Sequence, residues 1–160
     1  MPTSAQRLCG ALASIGITVG GAWLASTAHS DTDKTALSSL SNGLILSFEN
    51  IRNDNGNIVV MVFDDREAFK SYDVTRAVGY REVPAVRGTM VVKFPDLTSG
   101  PFAVAAFHDE DKNQDLNMNG DQPDEGYATS GATDAYDTPT FRSATIVEAR
   151  TSITMFYADQ

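Results

Sequence analysis

The chain has 160 residues, of which 42% are hydrophobic, so its length suits one domain with a substantial core. Its formal net charge of -9 argues against a nucleic-acid-binding protein, because such binding depends on Lys and Arg side chains that neutralise phosphates. The same charge argues against binding to anionic membranes, and the single cysteine, Cys9, excludes a disulfide within the chain.

The first 30 residues have the pattern of a secretory signal peptide. Arg7 precedes a stretch of apolar and small residues from Leu8 to Ala28, and small residues then allow cleavage after Ala28 or after Ser30. The alternative is an uncleaved anchor, since the stretch is just long enough to span a membrane. Its richness in Gly, Ala, Ser and Thr favours cleavage. We therefore predict a signal peptide over residues 1–30, no membrane span after cleavage, and a periplasmic or extracellular location.

A polar leader and the first two strands follow the signal. Residues 31–42 are rich in Ser, Thr and Asp and predict a disordered segment. Alternating apolar residues from Gly43 predict a first strand, and residues 58–63 (IVVMVF) predict a central strand because they are apolar on both faces. The Asn-Asp-Asn-Gly turn at residues 53–56 predicts that the two strands pair as a hairpin.

A short helical turn and five further strands are predicted in the rest of the chain. Asp64 or Asp65 caps the turn over residues 64–72, and Phe69 is its buried anchor. About seven strands in all, with regular turn signals, indicate an all-β sandwich over residues 43–158. The further strands are predicted over residues 74–80 at an edge, 85–94, 102–107, 141–148 and 151–157, with a hairpin link at residues 149–150.

Residues 108–131 are polar and contain the candidate functional site. Oxygen-bearing side chains alternate there, and a calcium ion needs about six to eight oxygen ligands. The first three match the opening of an EF-hand loop, but Gln114 stands where that loop has Gly and Gly120 where it has its closing Glu, and no flanking helices are predicted. The candidate metal ligands are Asp109, Asp111, Asn113, Asp115 and Asn117, with Glu125 or Asp121 as the closing carboxylate.

Other interpretations of these residues remain open. The loop also suits an Asx-rich surface turn that caps its own backbone amides. Asp109 with Glu125 has the composition of a catalytic carboxylate pair, whereas His108, directly after an apolar strand, suits a half-buried, hydrogen-bonded histidine. Four tyrosines fall in or near loops, where their rings can stack on sugars or act as lids over the core. They are Tyr72, Tyr80, Tyr127 and Tyr136.

Residues 44–157 resemble the family of exported bacterial proteins called domain of unknown function 2141. The matching features are Gly56-Asn57-Ile58-Val59-Val60, Phe69, Phe94-Pro95-Asp96-Leu97 with Gly100, His108-Asp109 with the acidic loop, Pro123-x-Glu125-Gly126-Tyr127, and Pro139 with Phe141. The resemblance implies an immunoglobulin-like or prealbumin-like sandwich and implies no reaction. The family loop usually reads Asp-x-Asn-x-Asn-Gly-x-x-Asp, and this chain departs from it at Asp111, Gln114 and Asn117.

Two functional hypotheses follow. The leading one is a non-enzymatic, monomeric binding or structural module of the cell envelope or periplasm, whose acidic loop is ordered by calcium and which binds an envelope or extracellular ligand. The alternative is a hydrolase that uses carboxylates and His108 beside the same loop. No separate nucleophile is recognisable, so no catalytic residue is assigned.

Overall fold

The structure is a computed structural model that describes residues 43–158, and the predicted signal peptide and leader lie outside the described residues. The helices are α1 (Arg66–Ser71) and α2 (Phe141–Ala144), with a 3-10 turn at Val74–Arg76. The strands are β1 (Leu44–Ile51), β2 (Asn57–Phe63), β3 (Gly79–Pro84), β4 (Gly88–Phe94), β5 (Ala103–Asp109), β6 (Met118–Asn119), β7 (Gln122–Pro123), β8 (Gly126–Thr129) and β9 (Arg150–Thr154).

Two sheets make up most of the described chain. The first has the order β4-β1-β9, in which β1 runs antiparallel to β4 and parallel to β9. The second has the order β3-β2-β5-β8 and is antiparallel throughout. A short hairpin of β6 and β7 lies in the polar segment between β5 and β8. The predicted all-β class is therefore confirmed.

The main core lies where the two sheets share one hydrophobic cluster. Alternate side chains of each strand enter it, because successive residues of a strand point to opposite faces. Each large aliphatic or aromatic side chain buried in this way contributes about 1.5–3 kcal/mol. The contributors include Leu44, Leu46 and Phe48 of β1, Ile58, Val60 and Val62 of β2, Val92 of β4, Val104 of β5 and Ile153 of β9.

The predicted helical turn is confirmed as α1. Asp65 is its N-cap, and its carboxylate accepts a hydrogen bond from the backbone N–H of Ala68 at 2.9 Å. Phe69 is buried and makes edge-to-face contacts with Phe63 and Phe141. These contacts hold α1 and α2 together on the face of the second sheet that points away from the main core.

The predicted hairpin of the first two strands is wrong. β1 pairs with β4 and β9, whereas β2 pairs with β3 and β5, so the turn between them links two different sheets. The turn residues bond to other segments: Asn53 Nδ2 donates to Glu110 at 3.0 Å and Asp54 accepts from the backbone N–H of Arg87 at 2.6 Å. A positive φ of 63° at Asn50 and a register shift before Ile51 turn the chain at this corner.

Two predicted strand positions also need correction. Residues 74–76 form a 3-10 turn, and the edge strand β3 starts only at Gly79. The segment predicted as a strand over residues 141–148 begins as α2, because the Thr140 hydroxyl accepts from the N–H of Ser143 and caps a helix. The predicted hairpin link at residues 149–150 is therefore wrong, since β9 starts at Arg150 and pairs with β1.

The structure also contains three strands that the sequence did not predict, the short β6 and β7 and the longer β8. β8 lies within the polar stretch after β5, and residues 43–158 form nine strands, two of them only two residues long, where about seven were expected. Among these described residues no helix has the length and apolar character needed to cross a membrane.

Candidate metal centre and adjoining groove

The candidate site begins at the end of β5, where two polar residues point in opposite directions. His108 and Asp109 are both fully buried. The alternation of the strand turns His108 towards the main core and places Asp109 on the outer face of the second sheet. β5 pairs antiparallel with β8, with His108 opposite Gly126, and this register brings Glu125 beside Asp109.

Three carboxylates converge at this point. Oxygen atoms of Asp109, Asp111 and Glu125 all lie within 4.8 Å of one another. Asp109 is 0% exposed and Glu125 is 4% exposed, while Asp111 is on the surface. Such a cluster of oxygen ligands has the chemistry that hard cations such as calcium prefer.

The two buried carboxylates organise the loop around them. The side-chain oxygens of Asp109 accept from the backbone N–H groups of Asn113 and Gln114, each at 3.0 Å. Those of Glu125 accept from the N–H of Glu110 at 2.8 Å and of Asn117 at 3.0 Å. A carboxylate oxygen has two lone pairs, so each of these oxygens can bond an amide and still face a metal ion.

Of the remaining predicted ligands, Asn113 and Asn117 contact the exposed carboxylate of Asp111, whereas Asp115 and Asp121 are not among its hydrogen-bond partners. Asp111 accepts from the side-chain amides of Asn113 at 3.2 Å and Asn117 at 3.0 Å. Asp115 is exposed, and its carboxylate accepts from the N–H of Leu116 at 2.9 Å. Asp121 lies in the turn between β6 and β7, so Glu125 is the closing carboxylate that the structure brings to the cluster.

The backbone of the loop explains how it turns without the glycine of an EF-hand. Gln114 has φ of 65°, the left-handed conformation that Gly adopts most easily. A non-glycine residue pays about 1–2 kcal/mol for that conformation. The loop therefore keeps the tight turn, and the hydrogen bond from Gln114 N–H to Asp109 helps to hold it.

His108 belongs to a buried network on the other side of the strand. Its Nε2 lies 2.7 Å from the carbonyl oxygen of Asn55, which can only accept, so Nε2 carries the proton. Nδ1 then accepts from the Tyr157 hydroxyl at 3.0 Å. The Arg52 guanidinium lies over the Tyr157 ring and bonds to Glu110 at 2.5 Å. His108 was expected to be half-buried, and its full burial closes the imidazole to a substrate in this conformation.

A groove of about 860 Å³ adjoins the acidic loop and was not predicted. Its floor is the outer face of the second sheet, formed by Val59 and Met61 of β2 and by Ala105 and Phe107 of β5. The sequence contains a pattern that could have indicated a second apolar surface: β2 and β5 are apolar on both faces, whereas the main core covers only one face. The helices α1 and α2 cover part of the other face, and the groove lies on that same face.

Tyrosines stand around this groove. Tyr72, Tyr80 and Tyr136 are exposed, at 51%, 41% and 81%, so these three are not lids over the core. The Tyr127 hydroxyl donates to the carbonyl of Ala135, which ties β8 to the loop that follows it. Burial, followed by the nearby Tyr136 and Asp134, raises the pKa of Tyr127 above its usual value. Burial, followed by Glu82 and Asp109, likewise raises the pKa of Tyr80.

Comparison with known protein families gives a match to the part of the chain that contains this site. Residues 46–155, more than half of the chain, match the family model described as an uncharacterized protein conserved in bacteria. Neither the curated proteins nor the solved structures contain a match to the chain. The matched region includes the acidic loop and the floor of the groove.

Proposed function

The chain belongs to the bacterial family called domain of unknown function 2141, and from its geometry we propose a non-enzymatic binding module of the cell envelope whose acidic loop is ordered by calcium. The observation that carries this proposal is the convergence of Asp109, Asp111 and Glu125. Export rests on the signal-peptide pattern of residues 1–30. The shared core of the two sheets supports an immunoglobulin-like or prealbumin-like sandwich, which we propose to be monomeric.

Electrostatics favours a cation at this cluster. Like charges at such short range repel, and burial of Asp109 and Glu125 removes much of the water that would screen them. A divalent cation offsets both costs. The described triad consists of carboxylates alone, a donor set that suits calcium better than zinc, which prefers imidazole and thiolate ligands.

The loop provides further oxygen ligands for a large ion. The side-chain amides of Asn113 and Asn117 donate to Asp111. Their carbonyl oxygens stay within the same loop, where that of Asn113 accepts from the N–H of Asp115 and that of Asn117 accepts from Asn113 Nδ2, each at 2.7 Å. Calcium accepts such mixed carboxylate and carbonyl shells in flexible geometry, whereas magnesium demands a nearly ideal octahedron. Calcium therefore fits an irregular loop at the end of a strand better than magnesium does.

The test is a calorimetric titration of calcium into chelator-treated protein, with thermal unfolding measured in parallel. We expect one binding event and a higher Tm, with a stabilisation of about 2.7 kcal/mol at a hundredfold excess over Kd. Asp111→Asn, at an exposed position, should weaken binding about tenfold or more because the site loses a charged ligand. Asp109→Asn should abolish binding.

Asp96→Asn is the matched control, since Asp96 is an exposed carboxylate outside the loop. It should leave the calcium affinity unchanged. No heat of binding and no change of Tm with calcium or chelator would refute the metal site, and the loop would then be an Asx-rich turn held by its own carboxylates.

A further inference from the structure

We propose that the groove beside the acidic loop binds a small amphipathic cation, a molecule with an apolar body and a positively charged amine. The inference deepens the proposed function, on which it rests, by giving the binding module a class of ligand. Three observations support this proposal: the size of the groove, the apolar residues that line it, and its negative charge.

The size and floor of the groove suit an apolar body. About 860 Å³ falls within the usual range of small-molecule sites. Val59, Met61, Ala105 and Phe107 form a continuous apolar floor, because β2 and β5 are neighbours and these residues share a face. Val59, Met61 and Ala105 are already buried, whereas Phe107 is partly exposed, so the apolar surface that a ligand would remove from water lies on Phe107 and on the walls of the groove.

The walls present further apolar surface that is open to solvent. Val74 of the 3-10 turn is 49% exposed, and Met118 of β6 is 53% exposed. Large exposed apolar side chains that converge on one groove are typical of a binding site rather than of an ordinary surface. Tyr136, with 81% of its side chain exposed, extends the groove outward.

The charged residues that line the groove favour a ligand of positive charge. Asp115, Asp121 and Asp137 line the groove, and among the described residues that line it there is no Lys, Arg or His. An ammonium group is attracted to these carboxylates, and also to the faces of tyrosine rings such as Tyr136. A carboxylate on the same apolar body would be repelled, so the three aspartates favour a cation.

The test uses three probes that share one apolar chain: decylamine and decanoate, each below its critical micelle concentration, and decanol below its solubility limit. They are titrated by calorimetry into the full chain at neutral pH. We expect decylamine to bind about tenfold more tightly than decanol, and decanoate most weakly, as the cation–aromatic and carboxylate contacts require. Equal affinities for the three head groups would overturn the proposal.

Variants locate the binding in the groove. Thr129→Phe adds a ring inside the groove and should abolish binding, whereas Val91→Phe adds the same ring to an exposed position of β4 outside it and should have no effect. If Thr129→Phe does not fold, Tyr136→Ala tests the same surface at an exposed position and should weaken decylamine binding. Asp121→Asn should weaken decylamine binding and leave decanol binding unchanged. Binding that ignores all of these groove variants would overturn the proposal.

The chain's own apolar segment, Leu8–Ala28, is the competing occupant. If it filled the groove, none of the three probes would bind the full chain, and the proposal would be overturned. Calcium titration of the same samples separates the two proposals: calcium binding without decylamine binding refutes only the amphipathic cation. Decylamine binding that persists in Asp109→Asn supports the groove independently of the metal.

Discussion

At the scale of single residues, Gly56 packs against the backbone at the start of the acidic loop. Its φ is +64°, and a Cβ there would lie 1.8 Å from the carbonyl oxygen of Asp109 and 2.6 Å from the Cα of Glu110. The turn after β1 thus packs directly on the backbone that leads into the carboxylate cluster. The neighbouring Asn55 carbonyl bonds to His108, so the same turn holds both faces of this strand end.

Gly56→Ala should lower the free energy of unfolding by about 3 kcal/mol or more, because the backbone must move and a positive φ is strained. Gly88→Ala is the matched control: Gly88 has φ of +91°, but a Cβ there meets nothing within 4 Å. It should cost only about 1 kcal/mol. Urea unfolding followed by circular dichroism measures both, and equal losses would show that the contact with Asp109 is unimportant.

Gln114→Gly should stabilise the protein by about 1 kcal/mol, because glycine removes the cost of the left-handed conformation at φ of 65°. It should also tighten calcium binding if the turn limits the loop. Asp115→Gly is the comparison, since Asp115 is not among the described residues with positive φ. Glycine removes no strain at that position, so this substitution should destabilise the protein. Thermal unfolding measures both variants, and a destabilised Gln114→Gly would contradict the prediction.

The site residues were partly predictable at this scale. Alternating Asp and Asn side chains identified the loop, and Glu125, one of the two candidates for the closing residue, lies in the carboxylate cluster. The sequence did not reveal which side chains converge, because that depends on the long-range pairing of β5 with β8. It also did not reveal that Gln114 adopts the conformation of the missing glycine.

At the scale of elements, β5 connects the core to the site. Its alternation gives the core Val104, Ala106 and His108, and gives the outer face Ala105, Phe107 and Asp109. The strand was predicted from its apolar run, and α1 from its cap, since both signals are local. The β1–β2 hairpin was wrong because the choice of partner strand is non-local, and a turn sequence alone does not determine it.

Tyr157→Phe should lower the free energy of unfolding by about 1–3 kcal/mol, because it leaves His108 Nδ1 and the N–H of Arg52 without the hydroxyl that they contact. Tyr136→Phe removes a hydroxyl from a side chain that is 81% exposed and should have almost no effect. Chemical denaturation of the two variants gives the comparison. Equal stability of Tyr157→Phe and the unmodified protein would argue against the buried network.

At the scale of the whole molecule, two apolar surfaces belong to the second sheet and only one faces the main core. Apolar patterns in β2 and β5 predicted central, buried strands, and both strands are central in their sheet. The apolar pattern did not show that the outer face carries a groove. A strand face that packs against protein and a strand face that lines a groove both have apolar side chains, so the sequence pattern is the same. The position of the groove therefore depends on the order of the strands in the sheet, which the sequence pattern does not give.

Stability should fall as the pH rises above about 10, the usual pKa of tyrosine. The folded state raises the pKa of Tyr127 and Tyr80, so it holds these protons more tightly than the unfolded chain. This contribution is therefore fully present below the unfolded pKa and is lost as the pH rises through the folded one. Unfolding free energies between pH 8 and 11 test this, and Tyr127→Phe should show a shallower decline than the unmodified protein.

The parallel pairing of β1 with β9 has a consequence for biosynthesis. Leu46 lies opposite Thr151, so β1 cannot complete its sheet until the chain as far as β9 has left the ribosome. Contacts of such large sequence separation slow folding. Until β9 emerges, the edge of β1 that β9 pairs with has no partner strand, so during synthesis this edge is open to pairing with other extended chains.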